Sequence, residues 1–264
     1  VRAAMQDRVF GESGARLVIE EYLEGPEISV LTFTDGVTLV PMPSGMDHKR
    51  AREGDTGLNT GGMGVIAPNP YYTPDIAQTC MDTIFLPTLA AMRAEGCPFR
   101  GCLYFGLMLT TQGPKVIEYN CRFGDPEAQA VLPLLQSDLL PILRHVTDGT
   151  LQDADVRFSG SASCCVVLAS GGYPEPYLTG MPIRGLNAAQ AHPNIHVYHA
   201  GTKLSPAGET VTAGGRVLGV TATADTLSQA VERAYRAAAE ITFQGAHLRR
   251  DIGAKALAVP GGAE

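Results

Sequence analysis

Residues 115–129 read KVIEYNCRFGDPEAQ, an apolar, strand-like start that runs into polar side chains at Glu118, Asn120 and Arg122. In an extended segment residues i and i+2 face the same side, so these three groups are predicted to project toward one site. A carboxylate and an amide oxygen beside a cation suit a magnesium–phosphate centre, in which the arginine fork binds a phosphoryl group. A solvated strand face with an ion pair is the competing interpretation.

The composition of the whole chain limits the classes of function. Its 264 residues are enough for one large or two ordinary domains, and 45% hydrophobic residues are enough for a buried core. The formal net charge of −7 argues against a nucleic-acid or membrane-surface binder, because such a face needs a surplus of Lys and Arg. Neither an apolar run of about 18 residues nor a signal-peptide pattern occurs, so we expect a soluble, cytoplasmic protein.

The first part of the chain predicts an antiparallel platform. ARLVIEEYL (15–23) indicates a strand, and EISVLTFTDGVTLVPM (27–42) indicates two strands around a turn at Asp35 and Gly36. Residues 44–70 carry six glycines and are predicted to form a long loop of functional importance. This part is completed by a helix over 74–95 with Thr73 as its cap, by two further strands (102–111 and 115–121), and by helical segments within 127–149.

A polar stretch at residues 151–160 predicts a boundary, with one region over 1–155 and a second over 156–264. The second region reads as a small α/β module, with strands in SASCCVVLAS, IHVYHAGTKL and GGRVLGVTATA and a helix that starts at Thr226. The closing AVPGGAE (258–264) is predicted to be a frayed tail.

A second polar cluster lies in VIEEYLEGPEISV (18–30), around a Gly-Pro turn between the first strands. A hinge of this kind leaves backbone groups free to pair with an adenine edge, and the carboxylate of Glu27 can accept both ribose hydroxyls. An ordinary hairpin with surface acids explains the same residues.

Together, the order and spacing of these clusters resemble the ATP-grasp superfamily. Within it, the chain resembles the phosphoribosylamine–glycine ligase family through DHKRAREGDTGLNTGGMG (47–64), IEYNCRFGDPEAQ (117–129), SGGYPEPYLTG (170–180), HAGTKL (199–204), GGRVLGV (214–220) and RRDIG (249–253). The resemblance implies an α/β (α+β) fold: a partial ATP-grasp domain over 1–155, incomplete at its N-terminus, followed by a C-terminal ligase domain over 156–264.

The activity that the resemblance implies is ATP-dependent ligation of glycine to 5-phosphoribosylamine in purine biosynthesis. The reaction passes through glycyl phosphate, yields glycinamide ribonucleotide, ADP and phosphate, and uses Mg²⁺ or Mn²⁺. The expected partners are these small molecules, with no nucleic acid and no membrane, and the expected state is a monomer. The alternatives are another ATP-grasp carboxylate–amine ligase and an inactive nucleotide-binding fragment.

The resemblance also implies roles for individual residues. The metal ligands are Glu118 and Asn120; the catalytic residues are Arg122, Asp125, Lys49 and Arg50; and ATP is bound by Glu20, Glu21, Tyr22, Leu23 and Glu27, the last at the ribose. Asp125 is equally explained as a turn former before Pro126, and Lys49 with Arg50 as a solvated basic pair. Asp47 and His48 face the same site, and the roles of His48, Glu127, His199, Lys203 and Arg216 stay open.

Two departures from the family pattern qualify these expectations. The strand before Glu118 reads YFGLML, with Gly106 or a neighbour where many ATP-grasp enzymes supply another acidic metal ligand. Full-length members also carry an N-terminal domain, a lysine and a glycine-rich lid before the hinge, and none of these stands ahead of Arg16. We therefore expect an N-terminally truncated chain with impaired nucleotide affinity and turnover.

Overall fold

The computed structural model describes residues 1–260; residues 261–264, the end of the predicted tail, lie outside it. The α-helices are α1 Arg2–Met5, α2 Pro74–Cys80, α3 Leu86–Ala94, α4 Glu127–Val131, α5 Leu139–Asp148, α6 Leu186–Gln190, α7 Leu227–Glu240 and α8 Ala254–Leu257. The strands are β1 Glu27–Thr34, β2 Leu39–Pro41, β3 Met46–Asp47, β4 Arg50–Arg52, β5 Thr56–Asn59, β6 Gly64–Ala67, β7 Gly101–Thr110, β8 Gly113–Asn120, β9 Ala162–Ala169, β10 Ile195–His199, β11 Thr202–Leu204, β12 Thr210–Thr212 and β13 Arg216–Ala224. This mixed content confirms the predicted α+β class.

The first sheet is antiparallel, in the order β2-β1-β7-β8. Successive residues of β1 point to opposite faces, which explains why almost the whole strand is buried. Ile28 and Val30 pack in a cluster with Phe85 and Leu89 of the α2–α3 helical segment. On the other face, Leu31 and its neighbours pack in a cluster that includes residues of α5. The sheet is therefore covered on both faces at β1, and β8 forms one of its edges.

Most of the predicted local structure around this sheet is confirmed. β1 and β2 form the predicted hairpin, with Gly36 in the left-handed region at φ +93°. The predicted helix over 74–95 is continuous through α2, a π-helical turn at Met81–Phe85, and α3. Thr73 caps it as expected, because its side chain accepts a hydrogen bond from the backbone N–H of Ile76.

The second sheet has the order β10-β13-β9-β6-β3. Its strands β3 and β6 come from before the predicted boundary at residue 155, and the other three come from after it. β6 pairs directly with β9, joining Gly64 to Val166 and Ile66 to Cys164. The two regions of the sequence are thus joined through a shared sheet, with α7 packed on it in the largest hydrophobic cluster.

Two predicted segments differ from the structure. The strand predicted at 15–23 is wrong: within residues 1–260 this segment has no strand partner, and the side chains of Val18 and Ile19 are 86% and 84% exposed. An apolar, β-prone composition does not make a strand without a neighbouring backbone to pair with. The long loop predicted at 44–70 instead contains β3 to β6, strands so short and glycine-interrupted that they leave no period-two pattern.

Within residues 1–260 every helix is too short or too polar to cross a membrane.

Candidate active site

A small polar cavity lies at the end of β8, with a volume of about 160 Å³. The residues that line it are Asp47, Lys49, Thr60, Gly61, Tyr104, Glu118, Asn120, Arg122, Gly124, Asp125 and Glu127. The alternating side chains of Glu118, Asn120 and Arg122 all reach this cavity, as the i, i+2 spacing predicts. We call it the carboxylate cavity.

A β-bulge sets the direction of Glu118. Gly106 of β7 pairs with Glu118 and Leu107 pairs with Val116, so Ile117 is the extra residue. A Cβ on Gly106 would lie 2.8 Å from Cγ of Glu118, which explains why this position carries no side chain. A side chain at Gly106, the position at which the sequence comparison expected a further acidic ligand, would therefore collide with Glu118 as it is placed here.

Lys49 connects two acidic side chains. Its Nζ lies 2.9 Å from Oε2 of Glu27 and 4.0 Å from Oε1 of Glu118. Burial alone would lower the pKa of Lys49, but the hydrogen bond to Glu27 and the surrounding carboxylates outweigh it and raise that pKa. Lys49 is therefore a fixed cation beside the carboxylate cavity.

A larger cleft of about 710 Å³ adjoins the carboxylate cavity and shares Asp47 and Lys49 with it. Its other lining residues are Gly25, Pro26, Glu27, Met46, His48, Arg50, Asp55, Asn59, Tyr71, Ile117 and Lys255. Charged and amide side chains make up most of this lining, and Pro26, Met46, Tyr71 and Ile117 give it an apolar part. Arg50 lines this cleft rather than the carboxylate cavity, and its Nη1 donates to the carbonyl oxygen of Gly57 at 2.9 Å.

The residues predicted to bind adenine are placed differently from Glu27. Glu20, Glu21, Tyr22 and Leu23 line neither the carboxylate cavity nor the larger cleft. Tyr22 is 85% exposed, and Glu21 forms an ion pair with Lys115 at 2.9 Å. Of the predicted nucleotide-binding set, the structure brings Glu27 alone into the cleft among the described residues.

Arg122 and Asp125 both reach the carboxylate cavity, but their present contacts differ. Arg122 lines the cavity and donates from Nη1 to the carbonyl oxygen of Phe123 at 2.8 Å and from Nη2 to Oδ1 of Asn120 at 3.5 Å. Asp125 accepts from Gln129 at 2.9 Å, and its Oδ1 lies 3.2 Å from Nη1 of Arg216. These contacts favour a role of Asp125 in ordering the turn before Pro126 over direct chemistry.

Arg216 is a residue whose role the sequence left open. Its Nη1 donates to the carbonyl oxygens of Gly61 and Asp125, each at 2.7 Å. The hydroxyl of Tyr173 accepts from the backbone N–H of Gly61 at 3.1 Å. The second region therefore holds the C-terminal end of residues 50–64, which we call the glycine-rich stretch. His199 and Lys203, the other open positions on β10 and β11, line neither cavity.

Arg249 holds the other end of the same stretch, and sequence reasoning missed it. This arginine is 1% exposed and donates from Nη1 to Oδ1 of Asp55 at 2.8 Å and to the carbonyl oxygen of Arg50 at 3.1 Å. Its Nε and Nη2 donate to the two oxygens of Asp251, both at 2.8 Å. The only signal in the sequence was the motif RRDIG, which does not say which carboxylates it meets.

His48 is buried between β6 and the C-terminal segment. The backbone N–H of Gly253 donates to Nε2 at 3.2 Å, so the ring proton is assigned to Nδ1, which lies 3.1 Å from the carbonyl oxygen of Gly64. Burial, followed by the charge of Arg249, lowers the pKa of His48 to about 4. His48 is thus a neutral, hydrogen-bonded part of the scaffold.

This depressed pKa predicts a pH-dependent loss of stability. Above the ordinary pKa of 6.5 the contribution of His48 is fully present; as pH falls toward 4, the unfolded chain binds a proton that the folded chain does not. Between pH 7.5 and 4.5 we expect a loss of roughly 2.5 kcal/mol of unfolding free energy from this residue.

The check is urea unfolding at several pH values for the wild type and for His48→Gln. The variant cannot titrate, so its stability should fall less over this interval. The raised pKa of Asp47 changes the stability in the opposite direction as the pH falls, but this effect is the same in both proteins. Equal pH slopes for the two proteins would contradict the assignment.

Two carboxylates, the half-buried Asp47 and the buried Glu127, complete the cavity wall. Glu127 is 4% exposed, and its Oε1 accepts from the hydroxyls of Tyr104 at 3.1 Å and Ser29 at 3.3 Å. Oδ1 of Asp47 is buried without a hydrogen-bond partner. Burial and then the charge of Glu127 raise the pKa of Asp47 well above its usual range.

The oxygen donors of the cavity determine whether it can hold a metal ion. Clusters of three or more His, Cys, Asp or Glu side chains placed to hold a metal do not occur within residues 1–260. Glu118 and Asn120 nevertheless supply two adjacent oxygen donors, and Mg²⁺ is commonly held by one or two protein oxygens together with substrate phosphates and water. Glu118 and Asn120 therefore fit a divalent cation whose remaining ligands come from a phosphorylated substrate and water.

Comparisons with protein families match both parts of the chain. Residues 1–128 match the model described as phosphoribosylglycinamide synthetase, ATP-grasp (A) domain, and residues 163–255 match the C domain of the same synthetase.

Individual relatives agree with these matches. Phosphoribosylamine–glycine ligase of Rhodopirellula baltica is 48% identical over 249 residues, 94% of this chain and 57% of the relative. The human trifunctional purine biosynthetic protein adenosine-3 is 48% identical over 259 residues, 98% of this chain and 25% of the relative. The chain therefore spans between about a quarter and three-fifths of these curated relatives.

Solved structures give the same result. The crystal structure of phosphoribosylamine–glycine ligase from Thermotoga maritima superposes with a TM-score of 0.79 at 33% identity, covering 88% of this chain and 57% of that one. The biotin carboxylase domain of a thermophilic 2-oxoglutarate carboxylase superposes at 0.62 with 16% identity, covering 94% of this chain and 53% of that one, a likeness of fold alone.

Proposed function

The chain belongs to the phosphoribosylglycinamide synthetase family, and from this membership we propose that it carries the phosphoryl-transfer site of an ATP-dependent ligase that joins glycine to 5-phosphoribosylamine. The observation that carries the proposal is the convergence of Glu118, Asn120 and Arg122 on one cavity, with the Lys49 cation shared between that cavity and the larger cleft. Phosphoryl transfer between two anions depends on positioning and charge neutralisation, which these residue types supply.

The nucleotide is assigned to the larger cleft. Pro26, Met46 and Ile117 give it apolar walls for a base, and Glu27 places a carboxylate there for the ribose hydroxyls. Arg50 and Asn59 line the same cleft with donors suited to phosphate oxygens. Glu20, Glu21, Tyr22 and Leu23 remain proposed as the adenine hinge at the rim, on the strength of the family resemblance.

The metal is proposed as Mg²⁺ or Mn²⁺ held by Glu118 and Asn120. When bound, it would neutralise negative charge on the phosphate oxygens. Arg122 binds the transferring phosphoryl group, and Lys49 stabilises the anions from the opposite side. Asp125 and Arg216 keep the loop after β8 in place.

The proposed reaction has two steps. A carboxylate oxygen of glycine bonds to the γ-phosphorus while the bond from that phosphorus to the ADP oxygen breaks, and ADP leaves with the electron pair. The amine nitrogen of phosphoribosylamine then bonds to the carbonyl carbon, the bond from that carbon to the phosphate oxygen breaks, and the amine gives up a proton. The positive side chains of the cavity favour both leaving anions. We propose that the protein acts as a cytoplasmic monomer on these small molecules, without nucleic-acid or membrane partners.

The experiment is a coupled assay for ADP release with Mg-ATP, glycine and freshly generated phosphoribosylamine, alongside a calorimetric titration with Mg-ATP. We expect binding heat and an ADP signal that requires both glycine and phosphoribosylamine. The Thermotoga maritima ligase serves as the positive control. ADP release with a different amine acceptor would indicate another carboxylate–amine ligase, and the absence of both heat and a thermal shift would indicate a non-catalytic scaffold.

A further inference from the structure

We propose that two side chains of the second region, Tyr173 and Arg216, act as positioning residues that fix the separation between two walls of the carboxylate cavity. Both hold the backbone of Gly61, and we call them the Gly61 clamp. Neither side chain lines the carboxylate cavity or the larger cleft, so they act on the site through other residues. The consequence for ligation rests on the proposed function, whereas the order that the clamp gives to the walls rests on its contacts alone.

The clamp uses both polar groups of the Gly61 backbone. The hydroxyl of Tyr173 accepts from the N–H of Gly61 at 3.1 Å, and Nη1 of Arg216 donates to its carbonyl oxygen at 2.7 Å. A Cβ on Gly61 would lie 2.9 Å from Cζ of Arg216, so the guanidinium packs directly against the α-carbon. A side chain at position 61 would therefore displace the arginine from this contact.

Two neighbouring segments of the second region carry the clamp. Arg216 pairs with Ala169 at the end of β9, four residues before Tyr173. The backbone N–H of Ser170 donates to the carbonyl oxygen of Gly215 at 2.7 Å. A Cβ on Gly215 would lie 2.3 Å from Cδ2 of Tyr173, so the aromatic ring lies directly against this glycine. The backbone of the second region therefore holds the two clamp side chains in a fixed relation to each other.

The clamp reaches the Lys49 cation through Thr60, the residue next to Gly61. Both the backbone N–H and the hydroxyl of Thr60 donate to the carbonyl oxygen of Lys49, at 2.7 Å and 2.8 Å. Because Gly61 follows Thr60 directly, holding Gly61 also restrains these two hydrogen bonds. The clamp thus fixes the backbone of Lys49 on one wall of the carboxylate cavity.

Arg216 also holds a second wall of the same cavity. Its Nη1 donates to the carbonyl oxygen of Asp125 at 2.7 Å and lies 3.2 Å from Oδ1 of that residue. The turn and the glycine-rich stretch touch here, since a Cβ on Gly62 would lie 2.5 Å from Cδ of Pro126. Gly61 and Asp125 both line the carboxylate cavity, so one guanidinium sets the distance between the two walls.

The test measures backbone amide exchange by NMR on the whole chain and on variants of the clamp. Tyr173→Phe removes the hydroxyl alone, so the amide of Gly61 should exchange about tenfold faster. Arg216→Met releases both walls, and the amides of Thr60 and Gln129 should exchange faster as well. The N–H of Gln129 reports on the second wall because it donates to a carbonyl oxygen of the turn after β8.

Each variant has a matched control. Tyr177→Phe removes the hydroxyl of the neighbouring tyrosine, whose ring centroid lies 6.2 Å from that of Tyr173. Lys203→Met removes an exposed cation of β11 in the same region as Arg216. Both controls should match the wild type in amide exchange and in the rate of ligation.

Steady-state kinetics of ligation gives a second measurement. The value of kcat should fall about 5-fold in Tyr173→Phe and about 100-fold in Arg216→Met, because the reacting groups lose their alignment. The dissociation constant of a non-hydrolysable ATP analogue should change less than kcat, since neither clamp residue lines the larger cleft. Arg216→Lys keeps the charge but not the planar fork, so it should restore part of both kcat and amide protection.

Three results would overturn the clamp as a positioning device. One is unchanged amide exchange at Gly61 in Tyr173→Phe and at both walls in Arg216→Met, even in an active ligase. Another is equally faster exchange throughout the second sheet, which would make Arg216 a general stabilising residue. The third is wild-type kcat in variants whose walls do exchange faster. Conversely, the expected exchange pattern in a protein that does not ligate glycine would refute the proposed function and leave the clamp standing.

Discussion

Replacing Arg249 with methionine is expected to lower the free energy of unfolding by about 3 kcal/mol and to remove most of the activity. The guanidinium is 1% exposed and joins Asp55, Asp251 and the backbone carbonyl of Arg50. Without it, two carboxylates lose their buried partner and the strand that follows Lys49 loses its anchor. Stability is measured by urea unfolding, and activity by ADP release.

Two further variants accompany this prediction: one is a control, and the other separates the contacts of Arg249 from its charge. Arg250→Met removes the neighbouring, exposed arginine and should change stability by less than about 0.5 kcal/mol. Arg249→Lys keeps the charge but cannot reach all three partners at once, so we expect an intermediate loss of stability and a partial return of activity. Full activity of the methionine variant alongside its lost stability would show that Arg249 does not position the residues next to Lys49.

Replacing Glu118 with glutamine is expected to lower kcat/KM for ligation by about 10²- to 10³-fold. Glutamine keeps the shape of the side chain beside Gly106 but removes the negative charge that the divalent cation requires. The loss in kcat/KM should be partly offset by raising the concentration of Mg²⁺ or Mn²⁺, because a weaker ligand lowers the affinity of the site for the metal. Steady-state kinetics over a metal titration measures both effects.

The control for Glu118 is Glu95→Gln, which changes an exposed glutamate at the end of α3. Its kinetics should match those of the wild type. Because the ion pair of Glu118 with Lys49 is long and half-exposed, the Glu118→Gln variant should keep nearly full stability. A fall in kcat/KM that did not respond to metal would show that Glu118 does not hold the cation.

The strands and helices were predictable where local patterning and packing agree. The spacing of Glu118, Asn120 and Arg122 placed all three on one strand face, and Thr73 marked a helix start by its own hydrogen bond. The strand predicted over residues 15–23 was wrong because an apolar composition does not show whether a partner strand is present.

The parts of the site that depend on long-range contacts were less predictable. Arg249 meets Arg50 at a separation of 199 residues, and Arg216 meets Gly61 at a separation of 155. Neither partner can be read from a single sequence, since spacing along the chain gives no distance between remote segments. The isolation of Oδ1 of Asp47 is likewise a property of packing, and the motif DHKR alone does not reveal it.

The pairing of β6 with β9 determines when the site can form during translation. Lys49 and the glycine-rich stretch are translated before the strand that completes their sheet, which starts at Ala162, and before their arginine anchor at residue 249. Until then the nascent chain exposes the unpaired edge of β6 with its apolar Val65 and Ile66, a surface prone to aggregation. The residues proposed to handle substrate in this stretch are thus translated before the segments that order them.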